Sequence, residues 1–260
     1  MENNSVQRRE INDFKQLIGL NNLDAKLVEK IKSGDVGKVR SYIEKKRIKY
    51  IKNEREDANY LHLACDQKKD ACLAIVVMLI GEYGHDAHDT VQMRGNCLNI
   101  CSQSGSIMAA KYILSYPSNQ TLINKIIISY TNFTPLHSAA YNHDLDLVQL
   151  LIKKKADINM STNNNDAYDI SILYGNDPLN ETTLYLLDKK KLTKRNFYVT
   201  LCNQSLALLT KFWEKSGNQF SMKDTLETGT TVLIDSVYSN RKQIINFILE
   251  NVNFFFLQFF

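Results

Sequence analysis

The alternation of apolar and polar positions between residues 131 and 159 predicts a pair of short helices. Thr134 can cap the first helix with its hydroxyl, and Pro135 suits the first helical position, where no amide donor is needed. Small and apolar residues between 136 and 140 then lie on one helical face. After a polar break, the apolar run at 145–152 predicts a second helix that is more hydrophobic than the first.

The same two-helix pattern recurs along most of the chain. Two helices this short cannot cover their own apolar faces, so each unit needs neighbours of the same kind. Taking the helix-opening residue of each, seven units begin at Ala25, Asn59, Asn96, Thr134, Asp166, Asn196 and Thr231. Their spacing of about 34 residues lies in the range of repeat proteins. Insertions lengthen the second and fifth units between their helices, and residues 118–130 make a long connection.

The unit at residues 134–159 resembles the ankyrin repeat. That family's signature is Thr-Pro-Leu-His, two alanines, a Gly-containing break, an apolar helix and a Gly-Ala-Asp-x-Asn tail. Thr134, Pro135, Leu136 and His137 form the tetrapeptide, and Ala-Asp-Ile-Asn ends the unit. Tetratricopeptide arrays share the period, but they lack an extended turn between units and a Thr-Pro helix start, so the ankyrin geometry fits better.

The other units match the helix-turn-helix pattern of this repeat more closely than its amino-acid identities. Cys97 stands where the family has proline, Asp169 where it has histidine, and His143 where it has glycine. The resemblance implies an all-α, ankyrin-repeat solenoid of about seven helix-turn-helix units over residues 24–254. In that family, β-turn fingers and first helices line a concave face.

The two ends of the chain differ from the repeats. Apolar residues at helical spacing within 1–23, from Ile11 to Ile18, predict an N-terminal capping helix. Residues 255–260 form a hydrophobic C-terminal tail too short to span a membrane. Three interpretations of this tail stay open: it docks on the last helix, it contacts a partner or a second copy of the chain, or it marks a longer protein.

Composition narrows the class of protein and its location. The 260 residues are 44% hydrophobic and 23% charged, which is typical of a globular fold. The longest apolar stretch, residues 71–80, is about half the length of a transmembrane helix, and the N-terminus lacks the apolar centre of a secretory signal. Five cysteines, an odd number, are expected to be reduced and mostly buried. We therefore expect a cytoplasmic protein with no membrane span.

No pattern of residues predicts catalysis. The chain has no phosphate-binding Gly-rich loop and no catalytic serine elbow. His62 and His137 occupy the motif histidine that, in the ankyrin family, ties neighbouring turns together by hydrogen bonds. We therefore expect no catalytic residue, no enzyme activity and no cofactor.

One cluster loosely imitates a zinc site with two histidines and two cysteines: His85, His88, Cys97 and Cys101. The repeat register places both cysteines on the first helix of the third unit, where Cys101 replaces a core alanine. We therefore expect buried thiols and exposed histidines rather than a metal ion.

Two basic runs, at residues 45–52 and 189–195, could bind phosphates or RNA. Each follows directly on a second helix, where lysines favourably meet the negative helix end and then enter solvent. The net charge of +4 is too small to predict nucleic acid as the main partner. The better interpretation is that the lysines of both runs are solvated at helix ends. Binding of phosphate or RNA stays open as the alternative.

Residues just before each first helix and at its far end are the candidate partner-binding site, because they project onto the concave surface in ankyrin-like stacks. These positions are Tyr130, Phe133, Tyr141, Asn142, Leu173, Tyr174, Tyr238, Asp66, Gln67, Gln103 and Asn203. Tyrosine and phenylalanine offer large contact areas at low rotamer cost and are enriched in binding hot spots. The alternative is that several of them pack against neighbouring fingers.

The sequence thus predicts a non-catalytic protein-protein interaction module, or scaffold, that binds a protein partner on the concave face. The chain is also similar to ankyrin proteins that intracellular bacteria and protists deploy in host cells, which would make it an effector in the host cytosol. One alternative is the recognition portion of a larger enzyme or toxin-like effector whose catalytic domain is absent. Another is phosphate or RNA binding through the basic runs.

Overall fold

The computed structural model describes residues 24–48, 59–68, 71–91, 94–127, 131–203, 205–217, 219–220, 234 and 241–251. These residues form helices and turns, with two isolated β-bridges and no β-strand among them. The chain divides into two compact units, Met1–Pro135 and Leu136–Phe260. The predicted capping helix at 1–23, the first helix of the seventh repeat apart from residue 234, and the tail at 255–260 lie outside the described residues.

The described residues of the first unit form three helix pairs and a 3-10 helix. The pairs are α1 (Ala25–Lys32) with α2 (Val36–Lys46), α3 (Tyr60–Cys65) with α4 (Leu73–Gly81), and α5 (Cys97–Ser104) with α6 (Ile107–Ile113). The first helices contact one another in the order α1, α3, α5, and the second helices in the order α2, α4, α6. The 3-10 helix, Pro117–Leu122, lies in the predicted long connection. This stacking of consecutive pairs buries the apolar face that no single pair could cover.

The second unit continues the same plan. Its described helices are α7 (Pro135–Tyr141), α8 (Leu145–Lys153), α9 (Ala167–Leu173), α10 (Glu181–Lys189), α11 (Lys194–Cys202), α12 (Leu206–Ser216) and α13 (Lys242–Asn251). The first helices α9 and α11 pack together, as do the second helices α8 and α10. Part of the core of this unit is aromatic, because the rings of Phe197, Phe212 and Phe220 lie with centroids 5.6–5.7 Å apart.

Polar caps set where the first helices begin. The side chains of Asp24, Asn59, Asn96 and Asp166 each accept backbone N–H groups of the first turn, which would otherwise have no partner. The predicted beginning of the sixth repeat at Asn196 is wrong.

In the sixth repeat, the cap is Thr193, and helix α11 begins at Lys194. Asn196 lies three residues beyond the cap and accepts the Thr193 N–H at 3.0 Å, while the Thr193 hydroxyl accepts the Asn196 N–H at 3.2 Å. The two residues therefore form a reciprocal capping box. Asparagine is itself a favoured cap and stands just before the apolar run, which explains the misassignment from sequence.

The predicted insertions in the second and fifth repeats are confirmed. Residues 66–72 connect α3 to α4, and residues 174–180 connect α9 to α10, whereas residues 142–144 suffice in the fourth repeat. In that shorter turn, His143 has φ 54°, a left-handed conformation that glycine adopts more easily. This is the position where the ankyrin signature has glycine.

Candidate functional site

A buried polar side chain follows each of five first-helix caps by three residues. These residues, which we call the inter-repeat ladder, are His62, Asn99, His137, Asp169 and Asn196. The Nε2–H of His62 donates to the Asp89 carbonyl at 3.0 Å, and that of His137 to the Asn165 carbonyl at 3.2 Å. Asn99 donates to the Lys125 carbonyl at 3.0 Å. Both histidines therefore hydrogen-bond the finger that precedes the next repeat, the kind of contact that the sequence predicts for them.

The ladder changes chemistry at the fifth and sixth repeats, where it becomes ionic. The Lys190 ammonium, on a fully buried side chain, lies 2.5 Å from Asp166 Oδ2 and also donates to Asn196 Oδ1. Asn196 Nδ2 donates to Asp166 Oδ2 and to Asp169 Oδ1, both at 2.8 Å. Burial, and then the Asp166 charge, raise the pKa of Asp169 to about 7. A buried lysine with two aspartates and an asparagine thus replaces the hydrogen bond that histidine supplies elsewhere.

This ionic cluster also explains much of the second basic run, residues 189–195. Lys190 is buried in it, and Lys189 pairs with Asp188 at 3.0 Å. Arg195 donates to Asn165 Oδ1 at 2.9 Å, and its guanidinium lies 5.5 Å from the Tyr198 ring centroid. Lys190 and Arg195 are therefore held by neighbouring residues, which weakens the hypothesis that this run binds nucleic acid, whereas the Lys189–Asp188 pair is exposed and weak.

The buried histidines are poor candidates for acid–base chemistry. Burial lowers the pKa of His62 and of His85 to about 4, and it also lowers the pKa of His137. These rings are therefore neutral at physiological pH and are enclosed by the core. The expectation that histidines 85 and 88 are both exposed is wrong for His85, which is 7% exposed, because it packs into the turn after α4.

The cysteines are free thiols, and those at 65, 72, 97 and 101 are buried as predicted. Burial raises the pKa of Cys97 well above its usual value, which disfavours the thiolate that a zinc ion would need. Within the described parts of the chain, no three His, Cys, Asp or Glu side chains are arranged to hold a metal ion.

An exposed aromatic surface lies in the second unit, at the C-terminal ends of α7 and α9. We call Tyr141, Asn142, Leu173 and Tyr174 the tyrosine patch. The rings of Tyr141 and Tyr174 contact each other with centroids 5.1 Å apart, although they belong to successive repeats. Leu173 and Tyr174 are still 47% and 49% exposed. Four residues predicted to bind a partner therefore form one surface.

Gly175 permits the close turn that follows this patch. A Cβ atom at this position would lie 2.6 Å from the Ser171 carbonyl oxygen and 2.8 Å from the His143 ring. The absence of a side chain lets the connection after α9 pack against the turn after α7. This contact fixes the backbone on both sides of the tyrosine patch.

The predicted residues of the first unit are polar and partly engaged. Asp66 forms an ion pair with Arg94 at 2.6 Å, and the Gln67 side chain donates to the Leu63 carbonyl at 2.9 Å. Gln103 is exposed at the end of α5. Arg94, which was not predicted from the sequence, lies in the turn that the Val91–Gly95 bridge closes.

The remaining predicted residues do not belong to the tyrosine patch. Phe133 is a correction: only 8% of its surface is exposed, because it packs in the core and its carbonyl accepts the Ile127 N–H at 2.9 Å. Phe133 therefore packs within the fold, which was the alternative to partner binding for these aromatic residues. Asn203 is half-buried at the end of α11. Tyr130 and Tyr238 lie outside the described residues.

A comparison with protein families agrees with this geometry. The family model for ankyrin repeats in three copies matches residues 61–164 and 98–196, together more than half of the chain. The chain therefore belongs to the ankyrin-repeat family, and the all-α ankyrin fold predicted from the sequence is confirmed. The number of seven units stays a prediction. A search of curated proteins finds no match.

Membership of this family gives the general function. Ankyrin repeats are protein-protein interaction modules and are typically non-catalytic. Of the helices that the structure describes, none has the length and apolar character needed to cross a membrane.

Proposed function

We propose that this protein is a non-catalytic interaction module that binds a protein partner on the concave surface of its repeats, with the tyrosine patch as the central contact. One observation carries the proposal: the rings of Tyr141 and Tyr174, from successive repeats, contact each other, and Leu173 and Tyr174 stay about half exposed. An apolar surface of this kind is stabilised further when a partner covers it. Tyrosines are among the residues most enriched in binding hot spots.

The rigidity of the surface also favours binding. The patch lies at the ends of two helices whose beginnings are held by the inter-repeat ladder through His137 and Asp169. Gly175 and His143 fix the turns beside it. Because these elements are ordered before a partner arrives, association costs little conformational entropy.

Affinity capture from a cell lysate tests the proposal. The wild-type chain is compared with a Leu173→Ala/Tyr174→Ala variant, which removes the two most exposed side chains of the patch. The matched control is Met108→Ala/Ile126→Ala, because these residues have similar exposures of 47% and 42% and lie elsewhere, in the first unit. All three chains must first show the same helical circular dichroism.

We expect the wild type and the control variant to retain a protein from the lysate. The patch variant should lose that protein. Removing a hot-spot side chain costs about 2 kcal/mol or more, so affinity should fall at least about tenfold. Equal retention by the patch variant would contradict it. The role as an effector in a host cell and the cytoplasmic location stay predictions.

A further inference from the structure

An open cleft of about 270 Å³ lies on the first repeat, between α1 and α2, far in sequence from the tyrosine patch. Its lining residues are Lys30, Gly37, Lys38, Ser41, Tyr42 and Lys45. Four of these, at positions 38, 41, 42 and 45, recur at intervals of three and four residues and therefore share one face of α2. The cleft thus combines one side of α2 with Lys30 from the neighbouring helix.

The cleft is basic, with hydroxyl groups between its cations. The Lys30 ammonium lies 5.4 Å from the centroid of the Tyr42 ring, a cation–π distance that holds it over the cleft. Lys45 forms no ion pair with any described residue. Ser41 adds a hydroxyl group that can donate to an anion, whereas the Tyr42 hydroxyl already donates to the Asp24 carboxylate.

Two carboxylates, of Asp35 and Asp24, contact residues of the cleft and offset part of the charge of its three lysines. Lys38 pairs with Asp35 at 3.0 Å, but the two side chains are 66% and 41% exposed, so a stronger anion can replace this weak partner. Asp24 accepts the Tyr42 hydroxyl at 2.9 Å. Asp24 also caps α1, so its carboxylate is already held by the first turn of that helix.

The dimensions of the cleft indicate the kind of anion. Lys38 and Lys45 are seven residues apart, which places their Cα atoms about 10 Å apart along α2. A ligand with phosphate groups at both of its ends can meet both lysines, whereas a single phosphate would reach only part of this row. The ring of Tyr42 and the aliphatic stems of the lysines offer a surface for a small ring.

We propose that this cleft binds a compact ring compound that carries two or more phosphate groups, of the inositol-phosphate class. Phosphate is a good acceptor for several ammonium groups at once, and charge-assisted hydrogen bonds are stronger than neutral ones. The phosphates can belong to a soluble molecule or to the headgroup of a lipid, since the recognising chemistry is the same.

The contrast between the two basic runs supports this site. In the run at 189–195, Lys190 and Arg195 are held by Asp166 and Asn165. In the first run, Lys45 lines an open cleft together with two further lysines that precede the run. The anion-binding hypothesis therefore moves from the runs themselves to the face of one helix pair.

Isothermal titration calorimetry on the full chain tests the proposal with inositol 1,4,5-trisphosphate as the probe and inorganic phosphate as the comparison. The cleft variant is Lys30→Glu/Lys45→Glu. The matched control is Lys153→Glu/Lys211→Glu, which changes the net charge equally at exposed helical positions outside the cleft. Circular dichroism must show that both variants keep the helical content of the wild type.

We expect the wild type to bind the trisphosphate at about 50 mM salt and more weakly at about 300 mM, because exposed charges are screened. The cleft variant should bind at least about tenfold more weakly, and the control within about twofold of the wild type. Failure of the wild type to bind would overturn the proposal. So would an equal loss in both variants, which would show general charge attraction, or inorganic phosphate binding as tightly as the trisphosphate.

Vesicles distinguish the two sources of the phosphates. They consist of phosphatidylcholine with about 5% phosphatidylinositol 4,5-bisphosphate, and binding is measured by co-sedimentation. Co-sedimentation that the cleft variant loses assigns the site to a lipid headgroup. Trisphosphate binding without co-sedimentation assigns it to a soluble molecule.

Discussion

The buried ammonium of Lys190 should stabilise the second unit strongly, and Lys190→Met tests this. Methionine has a similar length and no charge, so the substitution removes the ion pair while the space stays nearly filled. The Asp166 carboxylate would keep its bonds from the Asn196 amide and from the N–H groups of residues 168 and 169. It would lose its only cation within the described part of the unit.

Removing one partner of a buried ion pair leaves an uncompensated charge, which typically costs about 3–5 kcal/mol. Lys190 and Asp166 side chains are 0% and 5% exposed, so solvent screens this charge little. We therefore expect Lys190→Met to lower the free energy of unfolding by about 3 kcal/mol or more. The double variant Lys190→Met/Asp166→Asn removes both charges, and asparagine is as good a helix cap as aspartate. It should recover most of the loss.

Trp213, the single tryptophan, provides the assay. It lies in α12, and its ring centroid is 6.0 Å from that of Phe197 on α11, so its fluorescence reports on this part of the second unit. Urea is the suitable denaturant, because guanidinium chloride would screen the charges under study. A loss below about 1 kcal/mol, or a double variant no more stable than the single one, would refute the reasoning.

Three further predictions concern the ladder, its pH dependence and the turn beside the tyrosine patch. His137→Ala should lower stability by about 1 kcal/mol or more, since it removes a buried hydrogen bond, and an unchanged melting midpoint would count against the assigned register. Because the pKa values of His62 and His85 are lowered to about 4 in the folded state, from 6.5, their stabilising contribution is complete above pH 6.5 and is lost as the pH falls towards 4. Hydrogen exchange in α3, corrected for intrinsic rates, should show less protection at lower pH, and constant protection would contradict this. Gly175→Ala should destabilise the second unit by about 1–3 kcal/mol, because the new Cβ would lie 2.6 Å from the Ser171 carbonyl oxygen, and a urea midpoint equal to the wild type would refute it.

The period and the type of fold could be predicted from the sequence, because both depend on local chemistry. One tetrapeptide, beginning at Thr134, set the register, and polar caps at Asn59, Asn96 and Asp166 repeated it. The predicted beginning of the sixth repeat was wrong because Thr193 and Asn196 are both good helix caps. Only the reciprocal bonds between them show which one caps the beginning of the helix.

The candidate site was less predictable, because burial depends on neighbouring repeats. Phe133 and Tyr174 are both aromatic residues next to a first helix, yet one is buried and the other is half exposed. Lys190 stands in a basic run that suggests a solvated helix end, and lysine is rarely buried. Its position could follow only from knowing that Asp166 and Asn196 meet across two repeats.

The most direct test of the central claim, that the tyrosine patch binds a protein, is site-specific photo-crosslinking. Benzoylphenylalanine replaces Tyr174 in one chain and Lys211, an exposed residue of α12 outside the patch, in another. Both chains are irradiated in a cell lysate, and adducts are identified by mass spectrometry. The account predicts a protein adduct from position 174 that position 211 does not form and that Leu173→Ala reduces. The same adducts from both positions, or none from position 174, would contradict it.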